Sequence, residues 1–463
     1  MTVAWSIVDV PAVWVTRFDF VRTEGQIMPE CPAGDRSPAR AHQVRRSFVP
    51  TECAAGAHTG GGGVALGPRL ARSRPERSAM TDQIDVAPSM LRWARERSGR
   101  PLNDLAARFP RLAEWESGAA SPTMRQLEDY AQATYAPFGY FFLPEPPVER
   151  LPIPDFRTVA NGPVRAPSPD LLDTIYACEQ RQAWYRQYAE ERDHRPVKLV
   201  GSQAIGVAPE IAAAAIRDVL GFSVARRADF PNWARAFDGL REHAEQAGIL
   251  VMINGVVGNN THRKLNPDEF RGFCLVDEYA PVVFVNGADT KAAQIFTLAH
   301  ELAHVTLGGS AVSEPDLGRL DEGNDVERWC NEVAAELLVP AGSLRAEYES
   351  GADLTLELDR LARLYKVSTL VILRRIRDAG LMTRGDFRAA YQTELRRVLS
   401  LAARGTPGGN FYATKPMRVS RVFARALLTD TAEGRTTHRD ALRLLGIKKV
   451  STFEELGHRL GIA

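Results

Sequence analysis

From about residue 88 onwards, apolar residues recur every three or four positions, which is the spacing of one face of an α-helix. Turns that contain glycine and proline divide this pattern into segments of helical length. Most of the chain is therefore predicted to be helical. The helices predicted in the first part of this region are Pro88–Ser98, Leu102–Phe109, Leu112–Ser117, Thr123–Ala133, Asp170–Asp193, Pro209–Leu220 and Trp233–Gln246.

Short continuous apolar runs then interrupt the helical pattern and predict three buried strands, Ile249–Ile253, Gly272–Val276 and Pro281–Asn286. The third run leads into Lys291–Leu307, which is apolar on nearly all sides and is followed by Gly308 and Gly309. A helix of that kind is buried, and Asp289 or Thr290 can cap its start. The elements together predict an α+β fold, mostly helical, with a short sheet beside a buried helix.

The buried helix carries the pattern HExxH, from His300 to His304. Histidines four residues apart lie one turn apart on a single helix face, so both imidazoles can reach one zinc ion. Glu301 lies beside such a metal and can act as general base on a bound water. Three polar side chains inside a buried helix also need partners, and a metal ion satisfies all of them.

A catalytic zinc ion needs a third protein ligand, which we expect from the next predicted helix, Asp325–Pro340. Glu327 and Asn331 share one face of that helix. We expect Glu327 to be the ligand, and Asn331 to bond an imidazole nitrogen of a liganding histidine. Glu332 is the main alternative ligand. Cys330 is a soft alternative ligand, although a small packed residue is the simpler interpretation.

The segments Phe296–His304 and Glu327–Pro340 together resemble the ImmA/IrrE family of bacterial metallopeptidases. The resemblance is specific over about Gly248–Pro340. It extends more loosely over Asp82–Ala463, in the subgroup that has a degenerate helix-turn-helix at the front. It implies a small zincin-like domain of the gluzincin type with a short sheet, flanked by helical domains.

This resemblance also implies one Zn²⁺ per chain, held by His300, His304 and Glu327, with Glu301 as the base. Members of the family cleave repressor proteins and so switch on genes of mobile elements or stress regulons. We therefore expect a zinc endopeptidase that makes a limited cut in a protein substrate, a helix-turn-helix repressor. Manganese or iron could replace zinc in the cell, although two histidines and a glutamate suit zinc well.

Two other functions stay open on the sequence alone. The chain could be a DNA- or repressor-binding regulator whose metal only holds the fold, or a sensor that sequesters its repressor without cutting it. Glu301 separates the first alternative from a peptidase, because a structural metal site has no use for a general base. Cutting and sequestration use the same pocket, so the sequence does not separate them.

The peptidase interpretation predicts two further features. A donor should stabilise the developing oxyanion, and Tyr279, His262 and Tyr412 are the candidates. An extended substrate should add to an edge strand of the sheet. Val282–Val285 or Gly272–Val276 could be that edge, unless both strands are internal and already paired.

The domain boundaries follow from changes in composition. Residues 1–79 are rich in Arg, Gly, Pro and Ser and are predicted to be disordered, or to precede a true translation start at Met80. The other predicted parts are a front helical domain (82–147), a linker (148–167), the metallopeptidase domain (168–345) and a C-terminal helical region (346–463). Within the linker, alternate prolines make Leu151–Arg157 extended, and it could lie across another domain as a strap.

In the front domain, Asp104-Leu105-Ala106 followed by Trp115-Glu116-Ser117-Gly118 and Pro122-Thr123 resembles a degenerate helix-turn-helix of the Cro/repressor type. The interval Ala107–Glu114 is several residues too short for a recognition helix, and Pro110 falls inside it. We therefore favour a protein-contact or packing module over DNA binding there. A second helix pair, Leu356–Ala379, has the length of a helix-turn-helix, but its apolar residues interrupt any DNA-reading face, and packing is favoured there too.

Composition adds three limits. With 44% hydrophobic and 25% charged residues, the 463-residue chain is ordinary for a globular protein, and its net charge of +1 does not indicate a nucleic-acid partner. No apolar run approaches the ~20 residues of a membrane span. The five cysteines are widely spaced, which is typical of reduced thiols and predicts a cytoplasmic protein: Cys31, Cys53, Cys178, Cys274 and Cys330.

Overall fold

The computed structural model describes residues 83–154, 167–313, 325–402 and 418–462. All of these residues belong to the second of two compact units of the chain, Ser78–Ala463. The predictions made for residues 1–79, including a start at Met80, lie outside the described residues.

The front helices enclose an apolar cluster of their own, in which Trp115 and Tyr130 are buried. Helix α2 is shorter than predicted, because the next turn tightens, with the Arg108 amide bonded to the Leu105 carbonyl at 3.0 Å, and Pro110 has no amide to continue the helix. The elements are α1 (Pro88–Arg97), α2 (Leu102–Ala106), α3 (Leu112–Ser117), α4 (Met124–Thr134) and a 3₁₀ helix (Phe138–Phe142).

Among the described residues, the sheet has four strands, β1 (Leu250–Asn254), β2 (Gly272–Leu275), β3 (Val282–Asn286) and β4 (Ala311–Ser313), in the order β1-β3-β2-β4. β1 is parallel to β3, and the other two pairs are antiparallel. Because β2 and β3 are both internal, the prediction that Val282–Val285 or Gly272–Val276 forms an edge is wrong. The edge beside β2 is β4, which is too short to show a period in the sequence.

Helices cover both faces of this sheet, and alternate strand residues point into two separate apolar clusters. Val251 and Val283 face one cluster, whereas Met252 and Phe284 face the other. The first cluster is built by α6 (Pro209–Leu220), α7 (Val224–Ala228), α8 (Trp233–Gln246), α9 (Lys291–Leu307), α10 (Asp325–Leu338), α11 (Ala341–Glu347), α12 (Leu354–Tyr365), α13 (Thr369–Asp378) and α14 (Arg384–Ala402). The second is built by α5 (Pro169–Glu190), α15 (Arg421–Ala432), α16 (His438–Leu445) and α17 (Val450–Leu460). The predicted α+β, mostly helical fold is confirmed.

The arginines of the second helix pair serve packing within the protein. Arg374 and Arg375 on α13 are buried, and Arg375 donates to the Glu336 carboxylate at 2.5 Å and to the Val339 carbonyl at 2.9 Å. A buried guanidinium that is already bonded is not available to a phosphate, which supports the packing interpretation of Leu356–Ala379.

Three cysteines fall within the described ranges, Cys178, Cys274 and Cys330, and each is a buried free thiol. The same ranges contain no helix with the combination of length and apolarity needed to cross a membrane.

Candidate metal centre

Helix α9 places its histidines and Glu301 in the core. The Thr290 side chain caps the helix by accepting a bond from the Ala293 amide at 3.2 Å, and Gly308 ends it with φ of 76°. His300, Glu301 and His304 are each at most 1% exposed. The two histidines lie one turn apart, and their Nε2 atoms are 3.1 Å from each other.

Helix α10 brings Glu327 against this pair. Its Oε2 lies 3.2 Å from Nε2 of His300, and its Oε1 lies 2.9 Å from Nε2 of His304. Tetrahedral zinc with bonds of about 2.0–2.1 Å would separate its ligand atoms by roughly 3.3 Å. The three side chains therefore fit a zinc ion closely. Within the described ranges, no other group of histidine, cysteine or carboxylate side chains converges in this way.

The electrostatics of the site favour the protonation states that a metal needs. Burial on its own would raise the pKa of Glu327, but the imidazoles of His300 and His304 overcome this and hold that pKa at about 2. Burial lowers the pKa of His304, although Glu327 acts in the opposite direction. At neutral pH the site thus offers neutral His304 beside an ionised carboxylate, and a metal ligand must be deprotonated before it can bind.

Strand β2 supports the Glu301 carboxylate. A Cβ atom on Gly272 would lie only 2.9 Å from Oε1 of Glu301, so the carboxylate lies directly against the glycine. Cys274 follows on the same face of the strand, and its thiol donates to the Gly309 carbonyl at 3.5 Å. Burial, and then the Glu301 carboxylate, raise the pKa of this thiol well above its ordinary value. Glu301 is thereby held between its own helix and β2.

Gly272 gives a direct test of this close packing. In Gly272→Ala, the added methyl group would lie 2.6 Å from Cγ2 of Thr297 and 3.0 Å from the Phe284 carbonyl, so helix and strand must separate. We expect the free energy of unfolding to fall by about 1–3 kcal/mol, measured by denaturant titration. Gly342→Ala is the control, because its Cβ would meet nothing within 4 Å; since alanine is the better helix former in α11, it should leave stability unchanged or raise it by up to about 1 kcal/mol. Equal stability of the two variants would contradict the tight contact.

Asn331 lies on the predicted face of α10, but the expected hydrogen bond to a ligand imidazole is not formed. Its Oδ1 atom and Nδ1 of His300 are both buried, and neither has a hydrogen-bond partner among the described residues. A shared helix face fixes where a side chain begins, and the direction of its terminal amide depends on the surrounding packing. The role of Asn331 stays a prediction.

None of the remaining candidates that the structure describes is among the three converging ligands. Glu332, the alternative ligand, lines a polar pocket with Arg328 and Arg374, and Cys330 packs in the apolar cluster around α9. Tyr279 packs against the cluster on the opposite face of the sheet, and His262 is exposed in the loop after β1. Tyr412 lies outside the described residues.

Sequence reasoning missed Gly272 and Cys274 as neighbours of the metal centre. The only available signal was a glycine at the start of a buried apolar run, which is typical of a close approach by another part of the chain.

Comparison with known families gives matches on two segments of the chain. Residues 244–377 match the family model of the IrrE N-terminal-like domain, a metallopeptidase family. This IrrE-like segment runs from the end of α8 to α13 and contains all four residues of the candidate centre. The predicted ImmA/IrrE resemblance is thus confirmed for this part of the chain, and the family implies a metal ion at the site.

The second match covers residues 419–459, which correspond to a domain of unknown function and contain α15, α16 and all but the last residue of α17. No curated protein matches the chain. The Cro/repressor-type resemblance of residues 82–147 stays a prediction.

Proposed function

We propose that this chain is a zinc-dependent endopeptidase of the ImmA/IrrE type that makes a limited cut in a transcriptional repressor and so derepresses genes. The observation that carries the proposal is the convergence of His300, His304 and Glu327 next to a fully buried Glu301. The IrrE-like match over residues 244–377 supports the metallopeptidase class. The cytoplasm, where repressors act, is the proposed location.

The residues divide the chemistry between them. His300, His304 and Glu327 would hold the ion, which when bound lowers the pKa of water and polarises a carbonyl group. Glu301 takes the proton of the attacking water and later delivers it to the leaving amine. The contact with Gly272 holds the Glu301 carboxylate in place, so little reorganisation precedes the proton transfer.

A survey of new protein N-termini in cells tests the proposal. The full chain and its Glu301→Gln variant are expressed separately in the same host, and newly formed N-termini are identified by mass spectrometry. We expect a small set that appears only with the unchanged chain and includes a cut inside a DNA-binding repressor. A set without any repressor would refute the substrate class. Identical sets would refute the peptidase, and repressor capture by both proteins would then favour sequestration.

A further inference from the structure

Strand β4 lies at an edge of the described sheet, and one of its backbone amides, that of Val312, points outward, where it can donate a hydrogen bond to another strand. In the antiparallel pair of β2 and β4, Ala311 lies opposite Cys274 and Ser313 lies opposite Gly272. Val312, between them, points its amide away from β2 and donates it to the carbonyl of Pro154 at 3.0 Å. The edge amide is therefore already occupied by a segment of the same chain.

That segment is the strap, Leu151–Pro154, which lies in the predicted linker after the front helices. Leu151 and Ile153 are partly buried against the apolar cluster that contains Phe273 and Val312. Two side-chain anchors and one backbone hydrogen bond thus hold the strap on the sheet. The sequence-based expectation of a strap agrees with these contacts for Leu151–Pro154, whereas the rest of the predicted segment, Asp155–Arg157, lies outside the described residues.

The strap lies about two strand spacings from Gly272, the glycine that contacts Glu301. Gly272 on β2 contacts the Glu301 carboxylate, and β4 is the next strand along the sheet. Neighbouring strands are about 4.8 Å apart, so a chain beyond β4 lies roughly 10 Å from Gly272. This is the edge that an extended polypeptide could join by adding a strand.

The strap is chemically suited to block that edge without extending the sheet. Pro152 and Pro154 have no amide hydrogen, so they can accept bonds from a strand but cannot donate any. Leu151 precedes the two prolines and Ile153 lies between them, and both side chains supply the apolar contact. The strap therefore satisfies Val312 and covers the sheet edge with few hydrogen bonds to break when it leaves.

We propose that the strap is an internal occupant of a peptide-binding edge and keeps extended polypeptides away from the metal centre until it is released. This inference rests on the proposed peptidase function for its biological meaning, because the blocked polypeptide would be the substrate. That the edge is occupied follows from the contacts of Val312, Pro154 and the two apolar anchors alone, and does not depend on the proposed function.

A further contact ties the strap to the front helices. Glu149, two residues before Leu151, accepts two hydrogen bonds from Arg97 on α1, at 2.5 and 2.9 Å. Both side chains are mostly buried, with 5% of Arg97 and 15% of Glu149 exposed. A bidentate pair of this kind fixes position as well as charge. The front domain therefore holds the start of the strap.

The test uses two matched aspartate substitutions in the full chain. Ile153→Asp places a charge on the anchored side of the strap, whereas Val148→Asp changes an apolar linker residue that is 82% exposed. Hydrogen exchange at the Val312 amide is then measured. We expect exchange at least 10-fold faster in Ile153→Asp, with Val148→Asp and the core helix α9 unchanged. Unchanged Val312 exchange, also in a Leu151→Asp/Ile153→Asp double variant, would overturn the proposal.

The second arm uses a synthetic peptide with the sequence of residues 148–154. It should bind Ile153→Asp and restore slow exchange at Val312, whereas Val148→Asp, whose edge is still covered, should bind it at least 10-fold more weakly. Equal binding by the two proteins would overturn the proposal, whether or not either protein cuts anything. Cleavage of the repressor identified in the survey of N-termini is scored separately. Peptide rebinding without repressor cleavage by either protein would support the strap and count against the proposed peptidase.

Discussion

Glu301→Gln is expected to slow cleavage of the protein substrate by about 10²–10⁴-fold, the usual contribution of a general acid–base. The amide has nearly the same shape as the carboxylate, so the contact with Gly272 should persist. An amide has no basic site that can accept the proton of water, however, so the rate constant of the chemical step alone should fall. The measurement is the initial rate of appearance of the cut fragment, with the zinc content of both proteins determined in parallel.

The control for this experiment is substrate binding. A group that acts only in proton transfer should leave the affinity for the substrate almost unchanged while the rate constant falls. Cleavage at the normal rate by Glu301→Gln would place the base elsewhere. Loss of zinc together with activity would instead assign Glu301 a role in building the site.

Removal of one of the three ligand side chains is expected to abolish metal binding. The unchanged chain should hold about one zinc per molecule, whereas His304→Ala and Glu327→Gln should hold almost none after dialysis. Zinc at 1,000 times its dissociation constant should stabilise the unchanged chain by about 4 kcal/mol, because only the folded state presents all three ligands together. Elemental analysis and denaturant titration with and without zinc measure the two quantities.

Glu332→Gln is the matched control, since Glu332 lies on the same helix as Glu327 and lines a different pocket. It should keep one zinc and the full stabilisation. Zinc loss in Glu332→Gln with retention in Glu327→Gln would reverse the ligand assignment. Absence of zinc from every protein would remove the catalytic proposal.

The sequence was sufficient to predict those parts of the centre that depend on helix geometry. The helical repeat places His300 and His304 on one face of α9. The residue types at Thr290 and Gly308 mark where that helix begins and ends. Glu327 was predictable because a chain that leaves one buried helix and soon enters another tends to pack them together. In each case the information lies within a short stretch of sequence.

The strand order and the support of Glu301 could not be predicted in this way, because they depend on pairing between distant residues. A three-residue strand such as β4 has no measurable period, and nothing in Gly272–Leu275 shows that it is flanked on both sides. The close contact of Gly272 with Glu301 likewise arises only when helix and sheet are packed together. Both the wrong prediction of an edge strand and the failure to predict Gly272 and Cys274 as neighbours of the centre arise because the sequence does not show pairing between distant segments.

The ion pair between Arg97 and Glu149 has a consequence for signalling. With only Arg150 between Glu149 and the strap, the chain cannot move its start far while the pair holds. If release of the strap requires that the pair open, a molecule that binds the front helices and opens it will raise the affinity of the sheet edge for polypeptide. Thermodynamic reciprocity then requires that polypeptide at the edge raise the affinity of the front helices for that molecule by the same factor.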